Sequence, residues 1–110
     1  MKARSNGNHI QEAASVKNRV REWAEKIGVP VHQVHIREMR NKWASCSTSG
    51  RLTFGRDVLE LTQLQIDYVI VHELLHLRVP NHGKLWKSLM RAYLGDYEQI
   101  EASLRAKNLS

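Results

Sequence analysis

The fold and chemistry of this chain are indicated most directly by residues 72–82, which read His-Glu-Leu-Leu-His-Leu-Arg-Val-Pro-Asn-His. Residues four apart on an α-helix lie on one face, about one turn apart, so a helix here would bring the imidazoles of His72 and His76 towards one point. The carboxylate of Glu73 would then lie beside that point. Two histidines and a glutamate at this spacing are typical of a catalytic zinc site.

A catalytic zinc site takes three ligands from the protein and leaves the fourth position open for water. His82 can supply the third ligand, because Pro80 cannot continue a helix and disfavours helical geometry at Val79. The chain should therefore turn after the helix and return a side chain towards the metal. The sequence predicts one Zn²⁺ per chain, held by His72, His76 and His82.

Glu73 is the predicted catalytic residue, since its carboxylate can deprotonate a zinc-bound water and then protonate the leaving amine. The expected activity is zinc-dependent hydrolysis of peptide bonds in a peptide or protein substrate. An alternative site would take a carboxylate from Glu98 or Glu101 as its third ligand, but this requires long-range packing that His82 does not need. Tyr68, Tyr93 and Tyr97 are interpreted as core residues, and the residue that stabilises an oxyanion is left unassigned.

Length and composition indicate one small soluble domain at residues 10–110, preceded by a polar tail at residues 1–9. No apolar run is long enough to cross a bilayer, and the N-terminus lacks the apolar core of a signal peptide. We expect no membrane partner and a cytoplasmic location. Cys46 is the single cysteine, so it cannot form an internal disulfide, and it is interpreted as a small buried side chain.

The formal net charge of +6 raises a second functional hypothesis. A basic surface attracts nucleic acid by non-specific electrostatics. The alternative function is therefore a basic nucleic-acid-associated module in which zinc is structural or vestigial. The lysines and arginines are scattered over several segments, however, which is also typical of an ordinary solvated surface. The sequence does not determine the oligomeric state.

Apolar spacing predicts a helix from Ile10 to Ile27, which ends at Gly28. A second helix should span Leu61 to Arg78, with Thr62 as its N-cap. The remaining helices should follow a cap at Asn81, break at Gly95 and resume from Asp96 to Lys107.

Between the first two helices, alternation predicts a strand from Val31 to Met39 and two more at Lys42 to Cys46 and Arg51 to Gly55. The polar turn at residues 47–50 should join the last two strands into a hairpin. We expect an α+β fold of the minimal zincin-like kind, in which a small, mainly antiparallel sheet packs on the N-terminal and active-site helices and further helices follow. The segment Arg51 to Gly55 is the expected edge strand for pairing with substrate.

Two blocks of the chain resemble the YgjP-like zinc metallopeptidases, which are related to the SprT and Wss1-like groups. The first block is Lys42-Trp43-Ala44-Ser45-Cys46-Ser47 with the hairpin through Leu52 and Phe54. The second is the run from Tyr68 to His82 followed by Gly83-Lys84-Leu85-Trp86. The resemblance implies a zincin-type hydrolase with zinc on His72, His76 and His82 and with Glu73 as general base. Ala44 and Lys42 depart from the family pattern, which usually has Gly and Arg there.

Other residues whose side chains could bind a metal or a ligand are interpreted as structural. His32 and His35 are separated by an odd number of positions in the predicted strand and are expected at the surface, and His9 offers no second site. Trp43 and Trp86 are expected to be core residues or walls of a pocket.

Overall fold

The computed structural model describes residues 6–39, 43–79 and 81–108. The element order is α1 (Asn6–Ile27), β1 (Gln33–Arg37), β2 (Ala44–Cys46), β3 (Arg51–Gly55), a short 3₁₀-helix (Arg56–Glu60), α2 (Gln63–Leu75), α3 (Lys84–Leu94) and α4 (Tyr97–Asn108). The predicted α+β class is confirmed. Residues 1–5 of the expected tail, and Lys42 and Pro80, lie outside the described residues.

Helix α1 begins at Asn6, four residues earlier than the apolar repeat predicted. Apolar periodicity reports the buried face of a helix, so it does not detect a polar first turn. The helix ends as predicted at Gly28, whose φ of 80° is in the left-handed region. The N–H groups of Gly28 and Val29 both donate to the carbonyl of Ala24, at 2.8 and 3.1 Å, which satisfies the end of the helix.

The three strands form a mixed sheet in the order β1-β3-β2, so the expectation of a mainly antiparallel sheet was wrong. Strands β2 and β3 pair antiparallel as the predicted hairpin. The longer pairing, between β1 and β3, is parallel. The turn at residues 47–50 is a local signal and predicts only the hairpin. The parallel pairing of β1 with β3 is a contact between distant segments, which this local signal does not report.

Helix α2 begins with the predicted cap. The side-chain oxygen of Thr62 accepts from the backbone N–H of Gln65, and the side chain of Gln65 accepts from the N–H of Thr62, which makes a capping box. The helix ends at Leu75, three residues earlier than predicted. His76 is the C-cap and keeps helical backbone angles (φ −62°, ψ −21°), so the four-residue spacing from His72 is preserved.

The chain after α2 turns more tightly than predicted. The N–H of Val79 donates to the carbonyl of Leu75 at 2.7 Å, which closes the end of the helix. Asn81 was expected to be the N-cap of α3, but Gly83 occupies that position. The side-chain oxygen of Asn81 instead accepts from the N–H of Gly83 at 3.0 Å, which closes a turn around His82.

The core lies between the sheet and α2, and α1 and the C-terminal helices pack against it. Its fully buried side chains include Leu52, Phe54, Val58, Ile70, Val71, Leu74 and Leu75. Burial of each such side chain contributes about 1.5–3 kcal/mol, so α2 is held mainly by packing rather than by its intrinsic helical propensity. None of the described helices is both long enough and apolar enough to span a membrane.

A buried carboxylate also joins α1 to α2. Asp67 accepts from Nε and Nη2 of Arg19, at 2.8 and 2.7 Å, and from Nε1 of Trp23 at 3.1 Å. The ion pair raises the pKa of Arg19, chiefly through this hydrogen bond to Asp67. These three bonds fix the rotation of α2 about its axis relative to α1, and with it the direction in which the histidine face points.

Candidate metal centre

The structure brings together the three histidines that the sequence predicted as ligands. His72 and His76 lie one turn apart on α2, and their ring centroids are 4.9 Å apart. The turn after α2 returns His82 to the same place, with centroid distances of 5.2 Å to His72 and 4.9 Å to His76. One nitrogen from each ring lies within 4.8 Å of the other two. The cluster could therefore hold a metal ion.

The chemistry of these nitrogens fits zinc, and so does the spacing of the pair from His76 and His82. A tetrahedral zinc ion with Zn–N bonds of ~2.0–2.1 Å requires neighbouring ligand nitrogens to be ~3.3 Å apart. The Nε2 atoms of His76 and His82 are 3.3 Å apart. Three neutral imidazoles form a donor set that suits zinc among the common divalent ions. His82 is suited to the neutral form, because burial, and next the charge of His72, lower its pKa from 6.5.

Glu73 lies beside the cluster, as its sequence position predicted. Its Oε2 atom is 3.3 Å from Nδ1 of His72, and its side chain is mostly buried. A carboxylate in this position can exchange a proton with a group at the centre of the cluster. Helix α2, which carries Glu73, packs against β2, and the charge of Glu73 contributes to the raised pKa of the Cys46 thiol in that strand.

Cys46 is half-buried, and its thiol donates to the carbonyl of Ser47 at 3.4 Å. Burial, with a smaller contribution from Glu73, raises the pKa of Cys46 to about 11. The thiol is therefore protonated at neutral pH and is a poor nucleophile. This agrees with the interpretation of Cys46 as a small packing residue, although it is more exposed than expected.

Trp86 forms the wall of the cluster opposite the solvent. Its ring is stacked on His82, with a centroid distance of 4.2 Å and an interplanar angle of 23°, and meets His72 edge-on at 5.3 Å. Only 3% of Trp86 is exposed. The pocket-wall interpretation is thus confirmed, but the stacking partner was missed. No local signal reported this stacking, because His82 lies before the N-cap of α3 and outside the helix that carries Trp86.

The two glutamates considered as alternative ligands have other partners. Glu101 accepts from the hydroxyl of Tyr68 at 2.9 Å and lies 3.5 Å from Arg105. Glu98 lies 3.5 Å from Arg91. Within the described residues, the cluster of metal-binding type contains the three histidines and neither glutamate.

The tyrosines belong to the core, as interpreted. Tyr68 and Tyr97 are buried. Burial, followed by the hydrogen bond to Glu101, raises the pKa of Tyr68, so its hydroxyl stays protonated. Tyr93 is half-buried and packs edge-on against Trp23, with centroids 6.0 Å apart.

The substrate-pairing strand was placed wrongly by the sequence. Arg51–Gly55 is the central strand β3, paired on both sides. The edge beside α2 is β2, which packs against that helix. Gly55 donates to the carbonyl of Trp43, and Ser47 donates to the carbonyl of Arg51. Because inward and outward bonding alternate along an antiparallel strand, the backbone N–H and C=O groups of Ala44 and Cys46 face the open edge.

The basic residues that the structure describes are distributed over more than one element. Arg37 and Arg51 are exposed on the sheet, whereas Lys84, Lys87 and Arg91 are exposed on α3. His32 and His35 are exposed, as expected, and the side chain of His9 lies outside those described.

A histidine cluster with an adjacent glutamate, on a buried helix beside a small sheet, defines the class of zincin-type metallohydrolases. Residues 8–107 match the model of the YgjP-like metallopeptidase domain. The chain belongs to this family and is a zinc metallopeptidase. The match does not favour the alternative of a nucleic-acid-associated module. No curated protein is significantly similar to the chain in sequence.

Two solved structures share the fold. The metallopeptidase zymogen of Methanocaldococcus jannaschii, jannalysin, aligns with a TM-score of 0.75 and 26% identity, over 84% of this chain and 95% of that one. The metallopeptidase zymogen of Pyrococcus abyssi, abylysin, aligns with a TM-score of 0.73 and 22% identity, over 84% of this chain and 93% of that one. The likeness extends over almost the whole of each relative, so nearly all of each relative's fold has a counterpart in this chain.

Proposed function

We propose that the chain cleaves peptide bonds with one Zn²⁺ held by His72, His76 and His82, and with Glu73 as general base and acid. The observation that carries this proposal is the convergence of three imidazoles from α2 and the following turn, with the Glu73 carboxylate 3.3 Å from His72. Zinc, when bound, supplies a Lewis acid that polarises the scissile carbonyl and lowers the pKa of water.

The proton transfers are assigned to Glu73. Its carboxylate would accept a proton from the attacking water and deliver it to the amine that leaves. The side chain is mostly buried, so its position is restricted by packing rather than by long-range charge pairing. The fixed spacing of Glu73 and His72 on one helix keeps the carboxylate beside the reacting atoms.

An extended peptide would bind along the open edge of β2. The outward N–H and C=O groups of Ala44 and Cys46 can pair with backbone groups of a substrate, which gives affinity without strong sequence selectivity. Strand β2 packs against α2, the helix that carries the proposed base, so this edge lies next to that helix. The peptide would therefore be held with its backbone beside the histidine cluster.

The substitution Glu73→Gln tests the catalytic assignment. It preserves side-chain size but removes the basic oxygen, so peptide cleavage should fall at least ~100-fold while the zinc content stays near one per chain. The matched control is Glu60→Gln, at an exposed glutamate at the end of the 3₁₀-helix, which should keep full activity. Unchanged cleavage by Glu73→Gln would remove Glu73 from the mechanism.

The ligand set is tested separately by metal analysis. His82→Ala should lower zinc content after gel filtration, measured by mass spectrometry of the metal, whereas His35→Ala at an exposed strand position should not. Equal zinc content in both variants would exclude His82 as a ligand.

The edge-strand assignment is tested with modified substrates. A peptide that is cleaved can be resynthesised with an N-methyl group at single backbone positions, which removes one donor at a time. Cleavage should be lost for alternate positions along the peptide, because only every second residue bonds to β2. A uniform response at all positions would argue against pairing with this edge.

A further inference from the structure

The three histidines are not held equally well. His72 and His76 are placed by the backbone of α2, whose helical hydrogen bonds fix them relative to each other. His82 lies between α2 and α3 and is exposed. Its position must therefore be fixed by contacts outside regular secondary structure.

The imidazole ring of His82 is covered by Trp86. The two rings are stacked with centroids 4.2 Å apart, the shortest ring-to-ring distance in the cluster. Trp86 itself cannot move easily, because it is almost fully buried and also meets His72 and Tyr97 edge-on, at 5.3 and 6.1 Å. The indole ring is thus a rigid surface that restricts rotation of the His82 ring.

The indole of Trp86 has a further property that burial alone does not explain. Its Nε1 atom is buried and has no hydrogen-bond partner among the described residues. Buried polar groups are normally paired, so a phenylalanine would fill this space at lower cost. The larger indole offers a wider flat face to the imidazole than a phenyl ring would.

The backbone on either side of His82 is fixed by Asn81. The Oδ1 atom of Asn81 accepts from the N–H of Gly83 at 3.0 Å, so the turn closes around His82. A Cβ atom at Gly83 would lie 2.9 Å from Oδ1 of Asn81, so a side chain there would displace the Asn81 side chain from this hydrogen bond. Asn81 therefore restricts the backbone of His82, and Trp86 restricts its ring.

We propose that Trp86 and Asn81 are positioning residues that hold His82 in place for metal binding before the metal arrives. This inference rests on the proposed role of His82 as a zinc ligand. A ligand that is held in place loses less conformational freedom on binding, so zinc affinity rises without any additional ligand. Residues that orient metal ligands typically change metal affinity 10–100-fold when they are replaced.

The test is the zinc dissociation constant, measured by competition with a chromophoric chelator. Trp86→Leu should weaken zinc binding by about 10–100-fold, while Trp86→Phe, which keeps a smaller aromatic face, should weaken it by only about threefold. Asn81→Ala should weaken binding by about tenfold, and Asn81→Ser, which keeps a hydroxyl acceptor, should recover part of that loss. Asn81 is exposed, so its variants test the inference even if Trp86→Leu fails to fold.

Met90→Ala is the control for a purely structural effect. Met90 is fully buried on α3, four residues beyond Trp86, so its truncation should also destabilise the protein. At a temperature where every variant is folded, Met90→Ala should bind zinc like the parent chain. Equal weakening in Met90→Ala and Trp86→Leu would overturn the inference.

His82→Ala distinguishes failure of the inference from failure of the proposed function. If His82→Ala weakens zinc binding but Trp86→Leu and Asn81→Ala do not, the positioning roles are excluded and the ligand set stands. If His82→Ala leaves zinc affinity unchanged, both the ligand set and this inference are excluded. The Co²⁺ absorption spectrum gives a second readout, because displacement of one ligand changes its tetrahedral bands.

Discussion

The Nε2 atoms of His76 and His82 lie 3.3 Å apart, at the spacing that two ligands of one tetrahedral zinc ion require. Two protonated imidazoles at this distance would repel each other strongly. The arrangement is therefore compatible with neutral histidines, which are the form that binds metal. A proton and a metal ion compete for the same nitrogen atoms in this cluster.

The first prediction concerns the titration of His82 in metal-free protein. Burial, and next the charge of His72, lower the pKa of His82 from 6.5, so its imidazole should be half-protonated at a pH below 6.5. The ring nitrogen shifts of His82 in an NMR pH titration measure this directly. The variant His72→Ala removes the second cause but not the first, so it should raise the pKa of His82 only part of the way. Titration of His82 at or above pH 6.5 in the parent chain would contradict the prediction.

The second prediction concerns the thiol of Cys46. Its pKa is raised to about 11, so alkylation of the metal-free, folded protein by iodoacetamide should be slow at pH 8 and reach half of its limiting rate near pH 11. Because Cys46 is the single cysteine, mass spectrometry reports its modification without ambiguity.

The variant Glu73→Gln identifies the electrostatic contribution to this pKa. Removing the negative charge of Glu73 makes the thiolate less unfavourable, so the half-point should move to lower pH, although burial keeps it above the ordinary value of 9.0. A half-point that is unchanged in Glu73→Gln would show that Glu73 does not face Cys46.

The sequence predicted most of the local structure, because helix caps and turns are determined by neighbouring residues. Thr62 and Gln65 form their capping box, and Gly28 ends α1 in the left-handed region. The failures concern contacts between distant segments. No local pattern specifies that β1 pairs parallel with β3, and this pairing makes β3 central and leaves β2 at the edge beside α2.

In the candidate site too, the sequence predicted the local geometry but not the contacts between distant segments. His72, Glu73, His76 and His82 lie within one short segment, so their spacing carries most of the geometry. The stacking of Trp86 on His82 depends on how α3 packs against α2, and the packing of β2, which carries Cys46, against α2 depends on the sheet order. Both are consequences of packing that spacing alone does not report.

The third prediction concerns the ion pair between Arg19 and Asp67. Asp67 is only 9% exposed in its side chain, whereas Arg19 is 34% exposed. Arg19→Ala would leave a buried carboxylate with the N–H of Trp23 as its remaining side-chain donor, so unfolding free energy should fall by about 2–3 kcal/mol. Urea denaturation measures the loss. Arg21→Ala, at an exposed arginine one turn from Asn18, is the control and should change stability by less than about 0.5 kcal/mol.

Asp67→Asn provides the second half of that test. It removes the charge but keeps the shape, so the double variant Arg19→Ala/Asp67→Asn should be more stable than Arg19→Ala alone. Additive losses in the double variant would show that the two side chains do not interact.

The last prediction concerns Gly50, the last residue of the hairpin turn, which is hydrogen-bonded to the segment just before β1. Its carbonyl accepts from the N–H of His32 at 2.9 Å, and its N–H donates to the carbonyl of Ser47 at 3.0 Å. Its φ is 89°, and a Cβ atom there would lie 2.9 Å from both the carbonyl oxygen of Pro30 and the ring of His32. Any side chain at this position therefore meets two costs, a left-handed backbone and a clash with a backbone atom.

A substitution at Gly28 measures the cost of the left-handed backbone without the clash. It has a similar φ of 80°, but a Cβ atom there would meet nothing within 4 Å. Gly28→Ala should lower the unfolding free energy by about 1–2 kcal/mol through its backbone conformation alone. Gly50→Ala should cost about 1–3 kcal/mol more than Gly28→Ala, because the sheet must shift to accommodate the methyl group. Since β2 is held through this hairpin, Gly50→Ala should also reduce peptide cleavage, whereas Gly28→Ala should not. Equal losses of stability in the two variants would show that the turn at Gly50 is open rather than packed against Pro30.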